Sequence, residues 1–184
     1  MNPQYEAHAR AAFTHLATLF GGSLDKLPDA VKSERPNYMP LCFDRQHRDE
    51  NGITVSLAHY YYQNGDACPD PDMTMRIDHA AKMVHPLSYQ DSMRYQEVDE
   101  ADPSNPRTIK LRMALAAFLA QWLGNTIAQG HLLAPKATAV DFDQLAPDRK
   151  EQARRNFKDA AGGDGYRYQL DTEGYPFGRV RVGE

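Results

Sequence analysis

The sequence predicts an α+β fold: an antiparallel meander of four to five strands packed against an N-terminal helix and a long tryptophan-containing helix, with a C-terminal hairpin. Three observations carry this. Residues 53–62 alternate between two faces with period two, as a half-buried strand does. Two stretches, 5–20 and 111–127, repeat apolar residues at helical spacing. Strand-like runs between them follow one another across short turns, which favours antiparallel neighbours.

The first helix is signalled at both ends. Asn2 is a cap, Pro3 suits the first helical position, and Glu6 sits where the helix dipole favours a carboxylate. Tyr5, Ala9, Ala12, Phe13, Leu16 and Phe20 form its apolar stripe, and Gly21 with Gly22 stops it. Residues 23–37 hold Pro28 and Pro36 among mixed charges and read as a connector with one helical turn. Met39, Leu41 and Phe43 open the first strand, and residues 48–52 form a polar turn. Ile53, Val55, Leu57, His59 and Tyr61 then share one face of the second strand, with Thr54, Ser56, Ala58, Tyr60 and Tyr62 on the other. Asn64-Gly65 is a reverse-turn pair, since both residues tolerate positive φ. From Asp66 to Pro71 the reading is a lengthened acidic loop, because Asp before Pro starts turns.

Met73, Met75 and Ile77 mark the third strand, residues 82–90 the fourth, and residues 95–98 a fifth. Asn105-Pro106 repeats the cap-then-proline signal and opens the long helix. Leu111, Leu115, Phe118, Leu119, Trp122 and Thr126 line its buried face, with Leu123 and Ile127 beside them. Gly124 lies inside it, which predicts close backbone packing there. A basic helix is expected over residues 147–161, a glycine-rich break at 162–165, and a terminal hairpin over 166–182 turning near Glu173-Gly174. The domain reading is one unit over residues 1–161 with a hairpin or tail over 162–184.

Composition bounds the function. The 184 residues suffice for one well-cored domain, at roughly 100–200 residues each. A net charge of −4 argues against general coating of polyanions. No run reaches the roughly 18 apolar residues of a membrane span. The N-terminus lacks a basic segment followed by an apolar core, so a secretory signal is not expected. Cys42 and Cys68 form no CxxC pair and are expected as small buried hydrophobes in a cytosolic chain.

The candidate site residues cluster around the acidic segment: His59, Tyr60, Tyr61, Tyr62, Asn64, Asp66, Asp70 and Asp72. Clustered aspartates are what hard cations need. The spacing D-x-x-x-D-x-D is nonetheless not the calcium-loop pattern, and carboxylates beside prolines also serve a turn's free N–H groups. His59 faces the core, where a lone histidine is usually a hydrogen-bonded packing residue; as a catalyst it would need Asp66 or Asp78 to orient it. Three consecutive tyrosines can anchor a protein or stack on bases, or simply pack. No nucleophile elbow, phosphate loop or dinucleotide fingerprint occurs. Arg149, Lys150, Arg154, Arg155 and Lys158 could touch nucleic acid, but Asp148, Glu151 and Asp159 dilute them into a solvated face. Free edges of the terminal hairpin offer a further protein contact.

Residues 55–60 (VSLAHY), 63–66 (QNGD), 70–73 (DPDM), 86–90 (PLSYQ), 95–98 (YQEV) and 118–125 (FLAQWLGN), through Gln129-Gly130, resemble an uncharacterised bacterial domain family common on plasmids, integrative elements and phages. The resemblance covers about residues 53–130 and leaves out the N-terminal helix and the segment after His131. The D-M-x-x-R and F-L-x-x-W-L pieces are also similar to a second uncharacterised cytosolic family. Neither family implies an activity or catalytic residues. The expectation is a non-catalytic binding or accessory protein of mobile-element type, acting on another protein and needing no cofactor or metal. The alternative is a small metal-dependent hydrolase using His59, Asp66, Asp70 and Asp72.

Overall fold

A computed structural model describes residues 2–25, 27–50, 52–133, 140–156, 166–170 and 176–181. The chain forms two compact units, residues 1–19 with 23–133 and residues 20–22 with 134–184.

The first unit runs α1 (Pro3–Leu19), β1 (Ala30–Ser33), β2 (Leu41–Asp49), β3 (Gly52–Gln63), β4 (Asp66–Asp78), β5 (Met83–Gln90), β6 (Tyr95–Glu97) and α2 (Pro106–Ala128). The fold is α+β, and its sheet is an antiparallel meander in the order β1-β2-β3-β4-β5-β6. Six strands exceed the expected four to five because β1 lies in the segment read as a connector. Four residues are too few to display an alternation. Ala30–Ser33 becomes a strand by pairing, Val31 against Phe43 and Ser33 against Leu41.

The segment before Met73 differs more. Residues 66–71 are not a loop; they continue β4 without a break. Asn64 (φ 55°) and Gly65 (φ 92°) alone make the turn, and Gln63 pairs with Asp66 across it. Pro69 and Pro71 are tolerated because β5 joins β4 only from Asp72 onward, so no neighbour on that side requires their missing N–H groups.

The inner face of the sheet is the core. Ile53, Val55 and Leu57 of β3 and Met73, Met75 and Ile77 of β4 are each at most 1% exposed. Burying one such side chain stabilises by about 1.5–3 kcal/mol, whereas an exposed ion pair contributes about 0–1 kcal/mol. The alternation therefore decides which way β3 faces. On the opposite face a polar row crosses five strands, Asp44, Ser56, Thr74, Ser88 and Glu97.

Both helices cover the inner face. The side chain of Asn2 accepts from the backbone N–H of Gln4 at 2.8 Å, and that of Asn105 accepts from Arg107 N–H at 2.9 Å, so both predicted caps are made. Tyr5, Ala9, Met83 and Ala116 share one buried cluster, while His15 Nδ1 lies 2.9 Å from the Ala120 carbonyl. The helices thus run side by side in the same direction. A Cβ on Gly124 would stand 3.4 Å from the His15 ring, which is the close packing expected of that glycine. Trp122 is buried at 7% exposure.

The second unit has its own three-stranded sheet, β7 (Val140–Asp141), β8 (Tyr166–Leu170) and β9 (Pro176–Arg181), with a 3₁₀ turn at Phe142–Gln144 and α3 (Pro147–Asn156). The terminal hairpin therefore does not extend the main sheet; it pairs with β7. Tyr168 is fully buried and meets Phe142 edge-on at 5.7 Å. The expected end of the helix at residue 161, the break at 162–165, the turn near Glu173-Gly174 and Val182 lie outside the described residues.

Two glycines with positive φ test the backbone account. A Cβ at Gly52 (φ 139°) would meet the Ile77 carbonyl oxygen at 2.2 Å, whereas one at Gly65 (φ 92°) meets nothing within 4 Å. Gly65→Ala should cost about 1 kcal/mol of backbone strain, and Gly52→Ala about 3 kcal/mol or more because the carbonyl must also move. Urea unfolding of the two variants reads the difference; equal costs would refute it.

Candidate functional site

β3 and β4 outrun their neighbours. Pairing of β2 with β3 ends at Leu41–His59, and pairing of β4 with β5 ends at Asp72–Gln90. Residues 60–63 and 66–71 therefore pair only with each other among the described strands and form a two-stranded arm beyond the sheet. The arm holds Tyr60, Tyr61, Tyr62, Asp66 and Asp70, and no lysine or arginine. Tyr62 is 79% exposed, Tyr61 is half-buried, and Asn64 and Asp66 are exposed at the tip. Tyr60 donates its hydroxyl to Asp72 at 2.7 Å. Burial, then the hydrogen bond and charge of Asp72, push the Tyr60 hydroxyl pKa up, so it stays a donor.

At the base of the arm the ladder slips. Ala58 pairs with Asp72 and Tyr60 with Pro69, leaving His59 opposite two residues, Asp70 and Pro71. Such a bulge re-aims the side chains around it. His59 is 5% exposed and its Nδ1 lies 2.9 Å from the Pro40 carbonyl. A carbonyl only accepts, so Nδ1 carries the proton and Nε2 the lone pair. Neither Asp66 nor Asp78 orients this histidine; a backbone oxygen does. Burial lowers the His59 pKa against the opposing pull of Pro40 and Asp70.

Beside it sits His131, 4% exposed, its ring 5.6 Å from that of His59. Its Nδ1 lies 3.2 Å from Ser33 Oγ, which also accepts from the Leu132 N–H at 3.1 Å, and its buried Nε2 has no partner among the described residues. Burial lowers the His131 pKa first, then the neighbouring His59 and Arg35. Trp122 meets His59 edge-on at 5.5 Å. In front lies a cleft of about 420 Å³ whose lining includes His59, Asp70, Trp122, Tyr38, Asn125 and Gln129.

The predicted residues are thus brought together in pairs. His59 and Asp70 share the cleft, Tyr60 and Asp72 are hydrogen-bonded to each other, and Asn64 and Asp66 stand at the far tip. Among the described residues no three His, Cys, Asp or Glu side chains are grouped to hold a metal ion. Ser33 lies near an imidazole but is 5% exposed and already engaged, so it is not presented as a nucleophile. Ser33, Tyr38 and His131 were not legible as site residues, because they lie far from His59 along the chain and match no spacing. Cys42 and Cys68 are free and half-buried rather than fully buried.

A second cleft, of about 400 Å³, lies at the other end of β4 and escaped the sequence reading altogether. Tyr5 and His85 face each other there, hydroxyl to Nδ1 at 2.7 Å, with stacked rings. Arg76 makes a two-pronged pair with Glu100 at 2.9 and 3.0 Å. In the second unit the cations of α3 are engaged locally. Lys150 and Arg154 lie over the Phe142 ring, Arg149 pairs with Asp148, and Arg155 pairs with Glu151. Lys158 lies outside the described residues.

One antiparallel sheet beneath two helices, with a hairpin arm standing beyond it, defines the class: a small two-layer α+β domain. The chain belongs to the DUF6908 family, a domain of unknown function, whose sequence profile matches residues 11–132. That span takes in most of α1, which the resemblance over residues 53–130 had left out. No curated protein and no solved structure matches the chain. No helix among the described residues is long and apolar enough to cross a membrane.

Two buried histidines, His59 and His131, and half-buried His85 make stability depend on pH. Burial holds the imidazoles of His59, His85 and His131 below the ordinary value of 6.5 in the folded state. The unfolded chain binds their protons first as pH falls, so this contribution is complete above 6.5 and is lost below it, at up to about 1.4 kcal/mol per pH unit for each histidine. Thermal unfolding should show Tm falling from about pH 7 to about pH 5, and less steeply for His131→Asn. A Tm constant over that window would contradict the burial account.

Proposed function

We propose that this chain is a non-catalytic binding domain that engages another protein through the β3–β4 arm and the cleft at its base. The arm itself carries the reading: two strands stand beyond the sheet, with Tyr62 79% exposed and Asp66 beside it, and no cation along their length. Exposed tyrosine offers broad, rigid contact area with a polar tip, and aspartates on an arm that carries no lysine or arginine favour a basic surface opposite. Pro69 and Pro71 disfavour strand addition along the β4 edge, so the contact is made by side chains. An accessory role on a mobile element, in the cytosol, is part of the same proposal and rests on the resemblance over residues 53–130.

The test is recovery of partners from the native host with the full chain, the double variant Tyr62→Ala/Asp66→Lys, and a chain ending before Tyr166. Both substituted side chains are exposed, so Tm should not move. A bound basic protein should be recovered at least about tenfold less with the double variant and be kept by the truncated chain. An identical partner set for the intact and doubly substituted chains would sink the proposal.

His59 and Asp70 sharing one cleft favours a second reading, a metal-dependent hydrolase that also draws on Asp66 and Asp72. Elemental analysis of the purified protein separates the two. We expect no stoichiometric divalent ion; one ion per chain, lost on His59→Ala, would establish the hydrolase reading instead.

A further inference from the structure

We propose that the cleft between α1, α2 and β5 is a binding site for a small monocarboxylic acid with a hydrocarbon body, anchored by Arg112. This goes beyond the protein-binding reading and is independent of it, since the arm and this cleft lie at opposite ends of β4.

The cleft is built from two kinds of surface. Leu87, Ile109 and Met113 supply an apolar wall, and its volume of about 400 Å³ is within the range of small-molecule pockets, roughly 300–1,000 Å³. Against that wall stand two guanidinium groups with different situations. Arg76 is held by Glu100 through both terminal nitrogens, and its Nε is buried with no hydrogen-bond partner among the described residues. Arg112 projects from α2 into the same lining, is half-buried, and has no ion-pair partner among the described residues. A half-buried guanidinium facing an apolar wall is most readily satisfied by a planar carboxylate, which it can meet with two parallel N–H groups.

Charge sets the valence of the ligand. Arg76 and Arg112 contribute two positive charges and Glu100 one negative, which leaves one to be balanced. A dianion such as a phosphate monoester would bring a surplus negative charge next to Glu100. His85 adds no charge at neutral pH, because burial and the nearby Arg112 and Arg76 lower its pKa. The Tyr5 hydroxyl, its pKa pushed up to about 12 by burial, keeps its proton. Its oxygen lies 2.7 Å from His85 Nδ1, so these two neutral groups occupy each other beside the arginines.

Titration of the full-length protein with defined probes, read by NMR shifts and calorimetry, tests this. Hexanoate and phenylacetate should bind with Kd on the order of 0.1–1 mM, and their amides at least about tenfold more weakly. Inorganic phosphate should not compete. Arg112→Met should abolish the preference for acid over amide while Tm stays within a few degrees, and Arg112→Lys should restore part of it. Amides binding as well as acids, phosphate displacing the acids, acid binding untouched by Arg112→Met, or no binding of either acid would each overturn the assignment. Should Arg112→Met fail to fold, loss of hexanoate affinity as Glu100→Gln raises the site's positive charge would overturn it instead, because a stronger monoanion response is expected there.

Discussion

Burial of the inner face of β3 and β4 beneath the two helices is the constraint from which the rest of this structure follows. Six side chains at most 1% exposed, from Ile53 to Ile77, commit the central strands to one orientation. A slip of one residue would bring Thr54, Ser56 and Arg76 inward and turn the apolar set toward the polar face. Cap residues and surface ion pairs act within that arrangement, at about 1 kcal/mol each. Trp122 closes the covered face at its β2–β3 end, where the regular ladder stops.

What lies past the reach of the core is where binding chemistry gathers. β2 and β5 end before β3 and β4 do, so the hairpin continues past its flanking strands, with Tyr62, Asn64 and Asp66 exposed at its far end. The slip at Ala58/Tyr60 sits at this transition and turns His59 and Asp70 toward one cleft. Recognition surfaces are commonly placed where a rigid scaffold gives way to less constrained backbone. Here the scaffold is the sheet and the released element is the arm.

The two clefts differ in electrostatic character for a local reason. The cleft beside His59 is lined by that neutral imidazole and by the exposed carboxylate of Asp70, which gives it a negative rim. Beside Tyr5 and His85 the neutral pair is flanked by Arg76, Arg112 and Glu100, which leaves a positive excess against an apolar wall. In both, burial rather than pairing keeps histidine uncharged.

Much of this was legible in the residue order, because it depends on neighbours a few positions apart. Alternation over residues 53–62, helical spacing in α1 and α2, the caps at Asn2 and Asn105 and the Asn64-Gly65 turn all reflect steric and hydrogen-bonding preferences that act within a turn or two. His59, Asp70 and the tyrosines were singled out for the same reason, as they lie together in the sequence. β1 escaped notice because a four-residue strand is defined by its partner, and residues 66–71 were misread because the local preference of Asp-Pro for turns cannot anticipate an unpaired sheet edge. The meeting of His131 and Ser33 with His59, and of Arg112 and Tyr5 with His85, was decided only in three dimensions. Ser33 and His131 are 98 positions apart and Tyr5 and His85 are 80 apart, and no local pattern encodes which distant side chains a packed sheet and two helices will bring together.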